Sequence, residues 1–384
     1  MIDINNVLRS ASAAGNVPGV VAAAATKDGV FYEGAYGKRS LNDPQSMTTD
    51  TVFRIFSMTK PIATLAAVQL IEREELSLDT PVQDIIPAWA DKQVLEGFEG
   101  NTPILRPPKT KATIRHLATH TSGLSYEIWD KNIAKFLEVT GTPSILKNDM
   151  GALDYPLVFD PGEKWMYGIS VDWLGHIVET VSGKTLEEFC RETIFDPLGM
   201  SDTSFYVSDS MRARLATVHQ RDENGKLEAI DLDLPPPKLE LHSGGRGLFS
   251  TASDYMQFLL MLLNEGTYNG AQILKPETVA MMTENQIGQL PITKLKTVMP
   301  TLSHDAEIFP GMPKTQNLGF VTNLEPVAGM RNSGSHCWAG LANTYFWWDP
   351  VAGIAGTILL QILPFVDTAS IQLYEDFEKA VYSC

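Results

Sequence analysis

Phe53-Arg54-Ile55-Phe56-Ser57-Met58-Thr59-Lys60-Pro61-Ile62-Ala63 sets a serine and a lysine three residues apart at the start of an apolar helix. On a helix, residues i and i+3 share a face, so the Lys60 amine falls within hydrogen-bonding reach of the Ser57 oxygen. The pair amounts to a nucleophile with its own proton acceptor. The bland alternative makes Ser57 a helix N-cap and Lys60 a solvated first-turn cation. Two local features argue against it. A lysine in the first turn opposes the positive end of the helix dipole. Phe53, Ile55 and Phe56 also imply a buried approach to the serine, where an idle cation is costly.

Composition narrows the rest. With 384 residues the chain exceeds the size at which one core usually keeps growing, so two domains, or one with a large insertion, are expected. Apolar residues at 44% and charged residues at 20% are ordinary for a globular protein and exclude disorder and membrane spanning. The apolar run Val351 to Ile362 is interrupted by Gly353, Gly356 and Gln361 and is too short to cross a bilayer, so it reads as a buried strand. A net charge of -16 without any Lys/Arg cluster excludes nucleic acid as a partner. Cys190, Cys337 and Cys384 are odd in number and lack metal-ligand spacing, so neither a disulfide framework nor a zinc site is expected. The opening Met1-Ile2-Asp3-Ile4-Asn5-Asn6 carries acid where a secretory signal needs basic residues. A cytoplasmic location is expected, which also suits free thiols.

Along the chain, a helix is predicted over about Ile4 to Ala14, stopped by Val17-Pro18-Gly19. Strands Val20 to Thr26 and Val30 to Tyr36 follow, joined at Lys27-Asp28-Gly29, whose Asp-Gly is a hairpin signal. From Ser57 to about Leu263, helical patterns at Ile114–Leu117, Trp173–Val181, Leu186–Ile194 and Ala252–Leu263 alternate with Pro- and Gly-marked loops. Leu234 to Lys238, with three consecutive prolines, reads as an extended surface crossing. Strand patterns return at Gly319–Leu324, Thr344–Trp348 and Ile354–Ile362, and a helix closes the chain over about Thr368 to Val381. The economical fold is α+β: one antiparallel sheet built from both chain ends and flanked by helices, with a large, mostly helical insertion. The boundaries expected are 1–60 with 240–384 for the sheet domain and 61–239 for the helical domain, the active site lying between them.

A lysine accepts the serine proton only when neutral, so the site needs strong desolvation of Lys60 or a second group sharing the proton. Tyr167, between the Asp160-Pro161-Gly162 turn and the helix opened by Val171-Asp172-Trp173, is the candidate. Beside an ammonium it should titrate lower than usual, because the cation favours phenolate. The ordered blocks Ser57-Met58-Thr59-Lys60, Leu117-Ala118-Thr119-His120-Thr121-Ser122-Gly123-Leu124, Pro161-Gly162-Glu163 with Tyr167, and Gly244-Gly245-Arg246-Gly247-Leu248-Phe249-Ser250-Thr251-Ala252-Ser253-Asp254 span nearly the whole chain. Together they resemble the serine β-lactamase and penicillin-binding-protein superfamily. Within it the likeness is to the family VIII carboxylesterases, which share the class C β-lactamase fold and use serine, lysine and tyrosine.

The resemblance implies Ser57 as nucleophile, Lys60 and Tyr167 as general base and acid, and an oxyanion hole from the backbone N–H groups of Ser57 and Leu341. No metal or organic cofactor is implied. Two departures favour a small neutral ester over a β-lactam. Class C enzymes usually show Tyr-x-Asn, whereas Tyr167 is followed by Gly168 and Ile169; and where they carry Lys-Thr-Gly this chain has Trp338-Ala339-Gly340. An indole in place of that lysine removes a charge partner for a substrate carboxylate and adds an apolar wall. Gly340 should let the strand approach the acyl group closely. Tyr126 and His336 are further wall candidates, the latter also readable as a packed strand-edge histidine, as are Trp347 and Trp348, one of which must face the core. His120 and Ser122 read as scaffold. No G-x-S-x-G elbow is present, which excludes an α/β-hydrolase built on that motif. The expected activity is ester hydrolysis through an acyl-enzyme. The alternatives are transfer of the acyl group to an alcohol, β-lactamase or D-amino-acid peptidase activity, and a binding protein that has lost the chemistry. The partner expected is a small-molecule ester, with neither nucleic acid nor membrane. Oligomeric state, native substrate and acyl length are not readable from the residues.

Overall fold

The computed structural model describes residues 2–384. Helix α1 (Ile4–Ala13) is capped by the Asp3 carboxylate, which accepts from the Asn5 N–H at 3.0 Å. Strands β1 (Gly19–Thr26) and β2 (Gly29–Gly37) form the expected hairpin. The middle of the chain carries α2 (Thr59–Glu72), α3 (Ser170–Ser182) and α4 (Ala252–Leu263). Strands β3 (Lys314–Gln316), β4 (Val321–Asn323), β5 (His336–Gly340), β6 (Thr344–Asp349) and β7 (Ile354–Leu359) follow, and α5 (Thr368–Tyr382) closes the chain. The seven strands form one antiparallel sheet in the order β3-β4-β5-β6-β7-β1-β2. The N-terminal hairpin docks on β7, with Val21 opposite Leu359, so both chain ends build the sheet as expected.

Alternation along the strands divides the core. Val20, Ala22, Ala24, Trp347 and Ile358 pack against Ile4, Leu8, Leu373 and Phe377 of the two terminal helices. Val21, Ala23, Ala25, Phe346 and Trp348 face the other way, into the core that includes α2 and α4. The run of alanines on β1 lets α4 lie close to the sheet. Gly356 is required for a similar reason. A Cβ there would stand 2.1 Å from the Trp347 ring, so the indole lies flat on the strand backbone.

Several element bounds differ from expectation. The strand expected over Ile354–Ile362 ends at Leu359, because Gln361 turns aside and its amide donates to the Arg54 carbonyl at 3.0 Å. Ile362–Leu363 then pairs in parallel with Val218–Arg221, part of a small separate sheet. The strand expected over Gly319–Leu324 shortens to Val321–Asn323, since Gly319 sits at φ +97° outside the β region. The helix expected over Leu186–Ile194 relaxes after Cys190 into a π-helical turn, Arg191–Phe195. Among the described residues, no helix is long and apolar enough to cross a membrane.

Candidate active site

Ser57 does not belong to α2. It lies in a 3₁₀ turn, Phe56–Met58, and the α-helix begins at Thr59. Phe56 is held at φ +43°, a left-handed conformation that a side-chain-bearing residue adopts only under outside constraint. The constraint is β5. A Cβ on Gly340 would lie 2.3 Å from the Ile55 carbonyl oxygen, so the strand edge presses directly on the turn. The close approach expected of Gly340 is therefore made first to the backbone that presents the serine. The i, i+3 pairing survives because a 3₁₀ turn also brings those positions together. Lys60 Nζ stands 3.2 Å from Ser57 Oγ.

Lys60 is 1% exposed, and its nitrogen has three neighbours: Ser57 Oγ, the Tyr126 hydroxyl at 2.9 Å and the Gly245 carbonyl at 2.6 Å. A neutral amine has two N–H donors and one lone pair. Gly245 and Tyr126 take the donors, which leaves the lone pair for the Ser57 hydroxyl. Burial drives the Lys60 ammonium down to about 7, while the Asp172 carboxylate works against the fall and the Arg246 guanidinium adds to it. The Gly245 carbonyl is placed by a tight packing of backbone on α3. A Cβ on Gly244 would come within 2.6 Å of the Val171 carbonyl, and one on Gly245 within 2.3 Å of Asp172 Oδ2. Asp172, fully buried in the first turn of α3, accepts from the Gly245 N–H at 3.0 Å and from the Ser243 hydroxyl. Gly245 and Asp172 are site residues that sequence reasoning left without a role. Their signal is the Gly244-Gly245 pair, which marks a close backbone approach.

Tyr167 donates its hydroxyl to Ser57 Oγ at 2.7 Å. It stands just before α3, where Gly168 packs so closely that a Cβ would lie 2.4 Å from the Leu124 carbonyl. The expectation that Tyr167 titrates low is overturned. Burial pushes its phenol up, and the hydrogen bond to Ser57 only partly offsets that. Desolvation of the phenolate outweighs what the neighbouring amine could offer it. Tyr126 is corrected as well. Its ring is buried and its hydroxyl meets Lys60, so it contacts the base instead of forming the cavity wall. Ile169, where class C enzymes usually carry an amide, is fully buried.

The cavity in front of Ser57 is narrow, with a volume of about 60 Å³. Trp338, Ala339, Gly340 and Leu341 line it as expected, together with Tyr167. Trp338 packs edge-on to Tyr167 at 5.2 Å between centroids and stacks on His120 at 6.0 Å. Leu341 lies in the β5–β6 turn, which Asn343 fixes by donating its amide to the carbonyls of Ile362 and Pro364 at 2.8 and 2.9 Å. His336 does not reach the cavity. It is buried against Thr322 at 2.7 Å, Asn317 at 3.0 Å and the Trp348 ring, and burial holds it down to about 3. Trp347 and Trp348 are both buried on opposite faces of the sheet, and neither lines the cavity. Trp129, Trp165, Ile292, Leu295, Ile308 and Phe365 also line it. Trp165 is legible in the aromatic run beside Tyr167, whereas 292–308 has no periodicity to single it out. Among the described residues, the one charged wall residue is Glu307, held by Lys314 at 2.9 Å.

Comparison with known proteins agrees with this geometry. The Beta-lactamase family model matches residues 4–379. Lovastatin esterase of Penicillium rubens is 32% identical, the match covering 99% of this chain and 98% of that one. The ML-236A carboxylate methylbutanoyltransferase mlcH of Penicillium citrinum is 31% identical over 99% of this chain and 94% of its own. Unliganded simvastatin synthase (LovD) of Aspergillus terreus, in its selenomethionyl form, superposes with a TM-score of 0.85 at 29% identity, covering 99% and 97% of the two chains. The chain thus belongs to the Beta-lactamase family, within the serine β-lactamase and penicillin-binding-protein superfamily and among relatives that hydrolyse esters or transfer acyl groups.

Proposed function

We propose that this protein is a serine carboxylesterase of the family VIII type, acting on neutral esters with small acyl groups through a covalent intermediate on Ser57. The observation that carries the reading is the Lys60 amine, titrating at about 7 and placed 3.2 Å from Ser57 Oγ. In its neutral form it takes the Ser57 proton as the oxygen attacks the ester carbonyl. The backbone N–H groups of Ser57 and Leu341, residues that border the same cavity, stabilise the tetrahedral oxyanion. Tyr167 is a phenol at neutral pH and gives its proton to the leaving alcohol, after which the Lys60 ammonium restores it. Water then attacks the acyl-enzyme with the proton transfers reversed.

Neutral substrates are favoured because, among the described residues, the one charged wall residue is an anion, and because the resemblance puts Trp338 where the superfamily carries a carboxylate-binding lysine. The same acylation half-reaction serves transfer to an alcohol, and the relatives include both an esterase and a methylbutanoyltransferase. The test is partitioning. Given p-nitrophenyl butyrate and a panel of acceptor alcohols, the protein should release mainly butyrate. If a dilute alcohol captures most of the acyl group, the transferase reading replaces the esterase.

A further inference from the structure

Leu341 borders a second pocket as well as the cavity in front of Ser57, this one of about 560 Å³. Phe205, Leu234, Pro235, Leu239 and Leu302 give it apolar walls, and its charges are three cations, Arg54, Lys147 and Arg246, against one anion, Asp233. The two guanidiniums are held by neutral oxygens alone. Arg54 lies over the Phe249 ring and donates Nη2 to the backbone carbonyls of Leu232 and Asp233 at 2.7 and 3.0 Å. Arg246 donates Nε and Nη2 to the Ile145 carbonyl at 3.1 and 2.7 Å, and Nη2 to Asn148 Oδ1 at 2.8 Å. Elsewhere in the chain, arginines with little exposure hold carboxylates: Arg331 has Glu378, Arg221 has Asp367 and Arg214 has Asp202. Among the described residues, neither Arg54 nor Arg246 has such a partner, which leaves the Arg54 Nε and Nη1 and the Arg246 Nη1 donors free. Burial and the nearby Arg246 charge push Arg54 down to about 10, against the pull of Asp233, so it is still a cation through pH 9. Two unpaired guanidiniums near one another call for an anion between them. The apolar walls favour one that carries a hydrocarbon tail, and Asp233 disfavours a dianion.

We propose that this pocket is an effector site for an alkanoate, the acid product of ester cleavage, and that the bound carboxylate slows further turnover. The source of the acid rests on the esterase reading; the site does not. Arg246 is the link to the chemistry. It follows Gly245, whose carbonyl accepts from Lys60, and its charge helps to hold Lys60 down. A carboxylate on Arg246 offsets that charge, so Lys60 keeps its proton to higher pH and less of the neutral base is present below the plateau. The other groups around Lys60 are the Asp172 carboxylate, the hydroxyls of Tyr126, Tyr167 and Ser57, and the His120 ring, which burial keeps neutral. Around Arg246 stand Asp172, Glu127 and the phenols of Tyr126 and Tyr155, with Arg54, Lys147 and Asp233 across the pocket.

Two measurements test this. In calorimetry, octanoate should bind the unmodified protein at one site that Arg54→Gln weakens about ten-fold. Arg54→Lys, which keeps the charge, should weaken it less, and that separates lost charge from misfolding. Octanol and inorganic phosphate should each bind at least about ten-fold more weakly than octanoate. In kinetics at pH 6.5, saturating octanoate should lower kcat/KM for p-nitrophenyl butyrate about three-fold, to a finite floor. At pH 9, where Lys60 is neutral with or without the anion, the same acid should change nothing. Arg54→Gln, referred to its own rate without acid, should lose the effect at pH 6.5. Inhibition that runs to zero rate alike at both pH values places the acid in the Ser57 cavity and overturns the inference. Octanoate binding equally to Arg54→Gln, or phosphate binding as tightly as octanoate, overturns it too. Failure of p-nitrophenyl butyrate to acylate Ser57 would overturn the esterase reading alone, because calorimetry reports on the site without any chemistry.

Discussion

Raising the pH from 6 to 8 should increase kcat/KM for p-nitrophenyl butyrate about ten-fold, after which the rate should level off. The magnitude follows from Lys60. An amine titrating at about 7 is neutral in roughly one molecule in eleven at pH 6 and ten in eleven at pH 8. At the ordinary value of 10.5 it would be neutral in fewer than about one molecule in a hundred at pH 8, and the rate would climb without a plateau to pH 10. The sign is set by burial, which penalises the ammonium, so the active neutral form accumulates as pH rises through the folded-state value. Two neighbours give opposite shifts of the midpoint. Asp172 favours the ammonium and Arg246 disfavours it, so Asp172→Asn should move the midpoint down and Arg246→Gln should move it up. The assay follows nitrophenol release at its isosbestic wavelength with substrate well below KM and spontaneous hydrolysis subtracted. A profile without a midpoint between pH 6 and 8 that keeps rising to pH 10 refutes a neutral lysine base.

Tyr126→Phe removes one of the Lys60 hydrogen-bond acceptors and leaves a buried N–H unpaired; at ~1–2 kcal/mol that is about a ten-fold loss in kcat, and an unchanged rate would show that Tyr126 does not position the base. Lys60→Ala and Tyr167→Phe should each be severe, with the double variant barely worse than either, because both act on the one Ser57 oxygen; multiplicative losses in steady-state kinetics would contradict a shared proton path. Trp338→Lys should slow p-nitrophenyl butyrate through lost apolar contact, worth up to ~1.5–3 kcal/mol, and improve the relative use of cephalosporins. If the unmodified protein already prefers cephalosporins to short esters by kcat/KM, the β-lactamase alternative stands instead.

Five of the seven strands are legible in the sequence because their signals are local, whereas the short β3 has no pattern of its own and β5 is reached only through the resemblance. The Asp28-Gly29 turn and the apolar runs of β1 and β6 need no distant partner, and α4 starts where its apolar pattern does, the Thr251 hydroxyl capping it by accepting from the Asp254 N–H at 3.1 Å. Ser57, Lys60 and Tyr167 are legible through their ordered motif blocks, and the structure brings all three together. What is not legible is imposed from a distance. The 3₁₀ turn at Ser57 depends on Gly340, far along the chain, pressing on Ile55. The position of Tyr126 on Lys60 depends on contacts between segments distant in sequence, such as Gly123 against Phe159 and Leu124 against Gly168, which nothing beside Tyr126 announces. The direction of the Tyr167 shift is not legible because burial of both groups, which the residues do not show, lowers Lys60 and raises the phenol more than the hydrogen bond to Ser57 lowers it. His336 reads equally as wall or core until Asn317 and Thr322 are seen to claim its ring.

The central claim, a covalent acyl-enzyme on Ser57, is tested most directly by intact-protein mass spectrometry after rapid acid quench of a reaction with p-nitrophenyl butyrate. The account predicts one butyryl adduct, mapped by peptide digestion to Ser57 and missing from Ser57→Ala, whose turnover should fall by about 10⁴ to 10⁶. Turnover that survives in Ser57→Ala, or an adduct on any other residue, contradicts it.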